Sequence, residues 1–324
     1  MKCTTQQVGG PHSWRSLFLL LLVGMAPALC AQTTAPVLVS PMRIAEGPPG
    51  QLLVTDNRED MIFAISDDDL GIAWSFNLPG RPMGIAFWSN TVFVGNATTR
   101  NVEVYKLKGL PRGAGKTLEF QYNLGFTPPG QTGSIQIPSD IAVDPDLDLV
   151  FVVDSGARQV RIFDFKGNPV QSFPGSTDPP LLSPVAIAVD TVNKEVLVSD
   201  YGDPNGSFAA NVPPRLMIYN YAGTLLKQIN GYPMTVASNE FARPQGLAVN
   251  GLGSIFMVES VHGEVYVIDR NSGQVTRKIS SFGSDPGQLQ LPLDILLVRK
   301  SGNLYVTNNM GKRIEVFRGE GRLP

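Results

Sequence analysis

Four carboxylates lie within eleven residues, in DPDLDLVFVVD from Asp144 to Asp154. Asp144, Asp146 and Asp148 alternate, as the first ligands of an acidic calcium loop do. Such a loop also needs Gly at its sixth position and a bidentate Glu at its twelfth. This chain has Leu149 and Ser155 there. The competing reading is a solvated turn, where Asp and Pro serve tight backbone angles and local hydrogen bonds. A second candidate is His262 in ESVHGEVY, the one histidine beyond the first 12 residues. A lone imidazole does not build a multi-histidine metal centre. No GxSxG elbow accompanies it for Ser-His-Asp chemistry. It therefore reads as an exposed turn residue. The third candidate is a set of three charges, Arg43, Asp140 and Asp294, whose meaning depends on the elements that carry them.

Those elements form a repeat. Six segments begin with Pro and enter an apolar run: PMRIAEG at Pro41, PMGIAFW at Pro82, PSDIAVD at Pro138, PVAIAVD at Pro184, PQGLAVN at Pro244 and PLDILLV at Pro292. Each is followed by a turn and a second β-rich run ending in an acid or amide: Asp56, Asn96, Asp154, Asp200, Glu259 and Asn308. A third run follows in every copy (MIFAI, VEVYK, VRIFD, LMIYN, VYVID, IEVFR), and a fourth in most. The pattern predicts four short antiparallel strands per repeat, the composition of a propeller blade. No segment sustains a 3.6-residue period, so little helix is expected. The expected fold is an all-β, six-bladed β-propeller. After IEVFR too little chain remains for a normal fourth strand, while PVLVS at Pro36–Ser40 is a spare strand. It is expected to complete the last blade and close the ring.

Aligned on the repeat, DPDLD is the turn between the first and second strands, where other copies have EGPPGQ, FWSN, DTVNKE, NGLGS and RKSGN. None repeats the alternating acids. One acid or amide per blade after the second strand fits acceptance of backbone N–H groups better than catalysis. Two residues after each inner-strand Pro come Arg43, Gly84, Asp140, Ala186, Gly246 and Asp294. Small residues suit a crowded axis. In a ring of six, blades three and six are opposite, so Asp140 and Asp294 should face each other, with Arg43 beside Asp294. The plain reading is a buried ion pair with satisfied carboxylates. The sharper one is a polar-ligand or cation site in the channel.

FGSDPGQLQLPLDI (282–295) resembles the junction of NHL repeats, and PSDIAVDPDLDLVFVVDSGARQVRIFDFKG (138–167) resembles one full repeat. The resemblance spans residues 36–320 and implies a six-bladed propeller. It does not imply one activity, because members include protein-binding and RNA-binding modules, receptor sensor domains and a peptide-amidating lyase. The lyase relatives use several channel histidines, which His262 alone does not supply. Calcium-dependent lactonase-type propellers place Asn and Asp directly after the inner-strand Pro. Here those residues are Met42, Met83, Ser139, Val185, Gln245 and Leu293.

The longest irregular stretches, 126–137, 174–183, 201–215 and 230–242, mostly belong on one face of such a ring. There Tyr201, Phe208, Tyr232 and Met234 are candidate apolar contacts for a ligand. LKGLPRGAGK (107–116) is expected as a solvated basic loop on the other face.

The chain begins as an exported one does. Lys2 and Arg15 precede SLFLLLLVGM, which is shorter than the about 20 residues a membrane-spanning helix needs. PALCAQ then suggests cleavage after Ala31, leaving one domain over 32–324. A lipid-anchored Cys30 is the alternative, against which Pro27 and Leu29 depart from the usual pattern. Both cysteines, Cys3 and Cys30, fall in this leader, so the mature chain has no disulfide or thiolate chemistry. It keeps 24 basic against 28 acidic residues, a net charge of −4 that argues against a nucleic-acid partner. No later segment is apolar enough to cross a membrane. The expected product is a secreted, periplasmic or surface protein that binds a protein or other surface ligand, without cofactor, metal or catalytic residues. The alternative is a hydrolase or lyase with a site at Arg43, Asp140 and Asp294. Sequons at Asn96 and Asn205 matter only where secreted proteins are glycosylated.

Overall fold

Pro41, Pro82, Pro138, Pro184, Pro244 and Pro292 each open the first strand of a separate antiparallel sheet. The computed structural model describes residues 37–109, 115–125, 134–173, 179–203, 212–231 and 241–322. Within them lie 23 strands and one 3₁₀ turn at Glu320–Arg322. Five sheets have four strands and the last has three, each in sequence order from inside outward. The inner strands are Pro41–Glu46, Pro82–Trp88, Pro138–Asp144, Pro184–Asp190, Pro244–Val249 and Pro292–Val298. Each contacts the next, and the sixth returns to the first. The protein is a six-bladed β-propeller. No described helix is long and apolar enough to cross a membrane.

The strand sequences explain the ring. Second strands such as Leu149–Asp154 and Glu195–Asp200 are buried almost throughout, because blades cover both their faces. Six apolar clusters fill the six blade-to-blade spaces. Blades two and three enclose Phe93, Val150 and Phe163, for example, and blades four and five enclose Leu216, Phe241 and Tyr266. Apolar residues at alternate positions thus pack against both neighbours, and no blade has a complete core alone.

The residue ending each second strand is a built anchor. Asp154 accepts from the amides of Gln136, Ile137 and Ala157 and from Arg161 Nε. Asp200 accepts from Leu182, Ser183, Gly202 and Arg215. Asp56, Glu259 and Asn308 accept amides of Ser40, Arg243 and Gln290 before their own inner strands, whereas Asn96 accepts from Thr98 and donates its side-chain amide to the Pro79 carbonyl. All six anchors are at most 1% exposed. The expected structural role holds, and it ties the chain entering each inner strand to the second strand.

Closure by the expected strand Pro36–Ser40 is not confirmed, and Pro36 lies outside the described residues. The last blade has three described strands, and Val37–Ser40 add none to it. Val39 and Ser40 instead donate their amides to Asp56 Oδ2 at 2.6 and 2.8 Å. The anchor of blade one claims this segment as the anchors of blades three to six claim residues before their own prolines, and Asn309 of blade six donates to Ser40 Oγ and the Pro41 carbonyl. The ring closes through packing: Ile44, Phe63 and Ile65 of blade one meet Val298, Tyr305 and Ile314 of blade six. Tyr305 Oη also donates to the Asp67 carbonyl at 2.7 Å. A correction concerns 107–116. Leu107–Gly109 and Lys116–Leu118 are paired strand of blade two, so the two ends of that stretch are not loop, and 110–114 lie outside the described residues.

Candidate functional site at the hub and the loop-rich face

Each inner strand carries a bulge just after its proline, seen as a register shift between Pro41 and Ile44, Pro184 and Ala186, and Pro292 and Asp294, for example. An extra residue there turns one side chain out of the ladder and toward the axis. This brings Arg43, Asp140 and Asp294 together, as the repeat alignment predicted. Arg43 lies between the two carboxylates, with Nε 3.7 Å from Asp140 Oδ1 and Nη1 3.6 Å from Asp294 Oδ1.

The guanidinium is also bonded to three other blades. Nε donates to the Ser139 carbonyl and Nη1 to the Leu293 carbonyl, both at 3.1 Å, and Nη2 donates to the Val185 carbonyl. The carboxylates bridge outward. Asp140 accepts from Ile187 N of blade four at 2.9 Å, and Asp294 from Ile44 N of blade one at 2.9 Å. Thr55 and Thr307 extend the network, donating to the Met83 and Met42 carbonyls of the following blades. Gly84 and Gly246 are needed beside these acids. A Cβ at Gly84 would stand 2.7 Å from Asp140 Cα, and one at Gly246 2.5 Å from Asp294 Cα.

Arg43, Asp140 and Asp294 are 4%, 4% and 5% exposed. Burial pushes Asp140 above the usual carboxylate range, against Arg43 and two backbone amides. Burial, then the charge of Asp140, pushes Asp294 up to about 7, against Arg43. Burial lowers the Arg43 pKa, but the two carboxylates outweigh it and hold the guanidinium charged. Two carboxylates facing one cation leave an excess negative charge, which a proton on Asp294 relieves.

A cavity of about 220 Å³ lies along the axis on the far side of this network from the inter-blade connections. Its walls are the later halves of all six inner strands, with Asp140 and Asp294 inward and Glu46 and Arg299 in its lining. Burial and Asp67 raise the Glu46 pKa, opposed by Arg299.

On the loop-rich face Tyr201 is partly buried. Gln245 Nε2 donates to its hydroxyl, and the Arg243 guanidinium stands 5.3 Å from its ring centroid. Burial raises the Tyr201 pKa, with Arg243 opposing. Phe208, Tyr232 and Met234 lie outside the described residues. His262 is exposed, and its Nδ1 is 3.0 Å from Glu259 Oε2. Asn96 is 1% exposed and its amide donates to Pro79 and Glu103, so this sequon is closed in the folded chain; Asn205 lies outside the described residues.

The acids of DPDLD do not converge. Asp144 is buried against Lys194 Nζ at 2.9 Å and Tyr221 Oη at 2.7 Å, while Asp146 and Asp148 are exposed. Asp148 has φ 53°, which Asp tolerates in turns. Among the described residues no three His, Cys, Asp or Glu side chains are placed to hold a metal ion. The sequence reading did not single out Arg81 and Arg100. They line one cleft of about 390 Å³ with Met83, Ala97, Gln136 and Ile137. Adjacent anchored turns were the available signal.

No protein-family model and no curated protein matches this sequence. Solved structures are similar in fold. Hydrazine synthase of Kuenenia stuttgartiensis aligns at 12% identity over 90% of this chain and 98% of that one, with a TM-score of 0.58. A structural-genomics protein of unknown function from Bacteroides thetaiotaomicron aligns at 17% identity over 88% and 70%, with a TM-score of 0.64. At these identities the likeness speaks for the fold alone.

Proposed function

We propose that this chain is an exported, NHL-type binding propeller that recognises a protein or other surface ligand through its loop-rich face. The observation that carries this reading is the closed bonding of the axial charges. Arg43 is consumed by three carbonyls and two carboxylates, and those carboxylates hold amides of neighbouring blades. Such a network fixes blade positions, leaving recognition to the connections around the rim. Four long connections, 126–137, 174–183, 201–215 and 230–242, are expected mostly on this face, and much of each lies outside the described residues.

The cysteine-free mature chain allows a direct test. A single cysteine is placed on the loop-rich face at Glu59 or Lys312, or on the opposite face at Ser89 or Leu252, all outside the core, and is capped with a bulky maleimide. Capture from the envelope or secreted fraction of the source cells should lose its partner only when the loop-rich face is capped. Loss only on capping the opposite face would contradict the proposal.

A second reading, a hydrolase or lyase using Arg43, Asp140 and Asp294, draws on one observation. A carboxyl raised to about 7 borders the axial cavity, the condition of a general acid. Its test is turnover lost in Asp294→Asn with the fold intact.

A further inference from the structure

The cleft lined by Arg81 and Arg100 lies between blades two and three on the loop-rich face. Its walls are fixed by the anchors. Asn96 Oδ1 accepts from the Thr98 and Thr99 amides, both at 3.1 Å, shaping the turn that leads to Arg100. The Ala97 amide donates to the Arg81 carbonyl at 3.3 Å, and Thr98 donates to Gly80 at 3.0 Å, so the two arginine-bearing segments run side by side. Across the cleft, Asp154 holds the amides of Gln136 and Ile137.

Two features distinguish this cleft. First, its two guanidinium groups form no ion pair among the described residues, the nearby carboxylates Asp60 and Glu103 being bonded to the Arg81 amide and to Thr99 and Asn96. Arg161, Arg215 and Arg313 on this face all pair with a carboxylate. The sequence between blades two and three, FTPPGQTG at 126–133, contains no acid either. Second, apolar surface adjoins the charge: Ile137 is 42% exposed and Met83 is partly exposed. Guanidinium groups match carboxylates in paired, charge-assisted hydrogen bonds, and the volume of about 390 Å³ exceeds that of a single anion.

We infer that this cleft binds an acidic peptide segment, with a Glu or Asp carboxylate on Arg81 and Arg100 and a neighbouring apolar side chain against Met83 and Ile137. This rests on the loop-face reading and names a ligand class for it.

The test is fluorescence anisotropy with the full mature chain and a labelled peptide containing Leu-Glu-Glu-Leu. Controls are the Leu-Gln-Gln-Leu peptide and inorganic phosphate as competitor. Expected is saturable binding that weakens with added salt. It should fall at least tenfold in Arg81→Ala/Arg100→Ala, fall severalfold in Ile137→Ala and be absent for the Gln peptide. Both arginines are exposed, so an unchanged thermal melt should accompany the loss. Equal binding to the double variant, equal binding of the Gln peptide, or binding of phosphate without peptide would overturn the inference. If peptide binding fails while capping at Glu59 or Lys312 still abolishes capture, the cleft is wrong and the loop-face reading stands. If loop-face capping has no effect, the broader reading fails as well.

Discussion

Arg43 Nη1 lies 3.6 Å from Asp294 Oδ1, a contact that joins the first blade to the last. The same guanidinium reaches Asp140 of the opposite blade, so one cation serves two carboxylates at the centre of the ring. Breaking a buried pair by removing one partner costs about 3–5 kcal/mol when an uncompensated charge remains. Here either acid alone compensates Arg43. Asp140→Asn and Asp294→Asn should therefore each change stability by less than about 1.5 kcal/mol at neutral pH, while the double variant loses about 3–5 kcal/mol. Urea unfolding measures this, and simple addition of two small effects would refute the shared-cation arrangement.

The raised carboxyl sets a sign for pH dependence. Asp294 has an ordinary value of 3.8 and is held at about 7 in the fold, so between these values the folded chain binds the extra proton. Its contribution is fully present below about pH 4 and is lost as pH rises toward 7, by at most about 1.4 kcal/mol per unit. Asp294→Asn should therefore look more stable, relative to the parent, at pH 8 than at pH 5. An offset independent of pH would contradict the assignment.

Gly246→Ala and Gly84→Ala should each destabilise by about 1–3 kcal/mol, because the added methyl meets the backbone of Asp294 or Asp140. Gly109 has nothing within 4 Å of the same added atom, so Gly109→Ala is the matched control and should be near neutral. Equal effects at all three would show that the axis is not crowded.

Asp154 and Asp148 both belong to the acidic stretch but should respond oppositely. Asp154→Ala strands three backbone amides and Arg161 and should cost about 3 kcal/mol or more. Asp148→Asn keeps the left-handed turn and should change stability by less than about 0.5 kcal/mol. Calorimetric melts compare the two, and added calcium should shift neither.

The legible part of this protein follows from its repetition. Six prolines in register located the inner strands, and counting two residues on found the axial set, because the bulge recurs in nearly the same place in every blade. Six acids or amides in register likewise exposed a backbone role. What is unique to one blade was not legible. Nothing local to Arg43 says that it spans the hub to the Ser139 and Val185 carbonyls, since the partners come from blades three and four. Nothing in PVLVS says that Val39 and Ser40 donate their amides to Asp56, at the end of the second strand of blade one. Arg81 and Arg100 sit in turns whose residues appear solvated singly and become a cleft only when two blades meet.

The most direct test of the division between a structural hub and a recognising rim is hydrogen exchange of the protein with and without its captured partner. Protection should appear at residues 80–83, 97–100 and 136–137, while the cavity mouth at 44–46 and 297–299 stays unchanged. Protection confined to the cavity mouth would contradict the account.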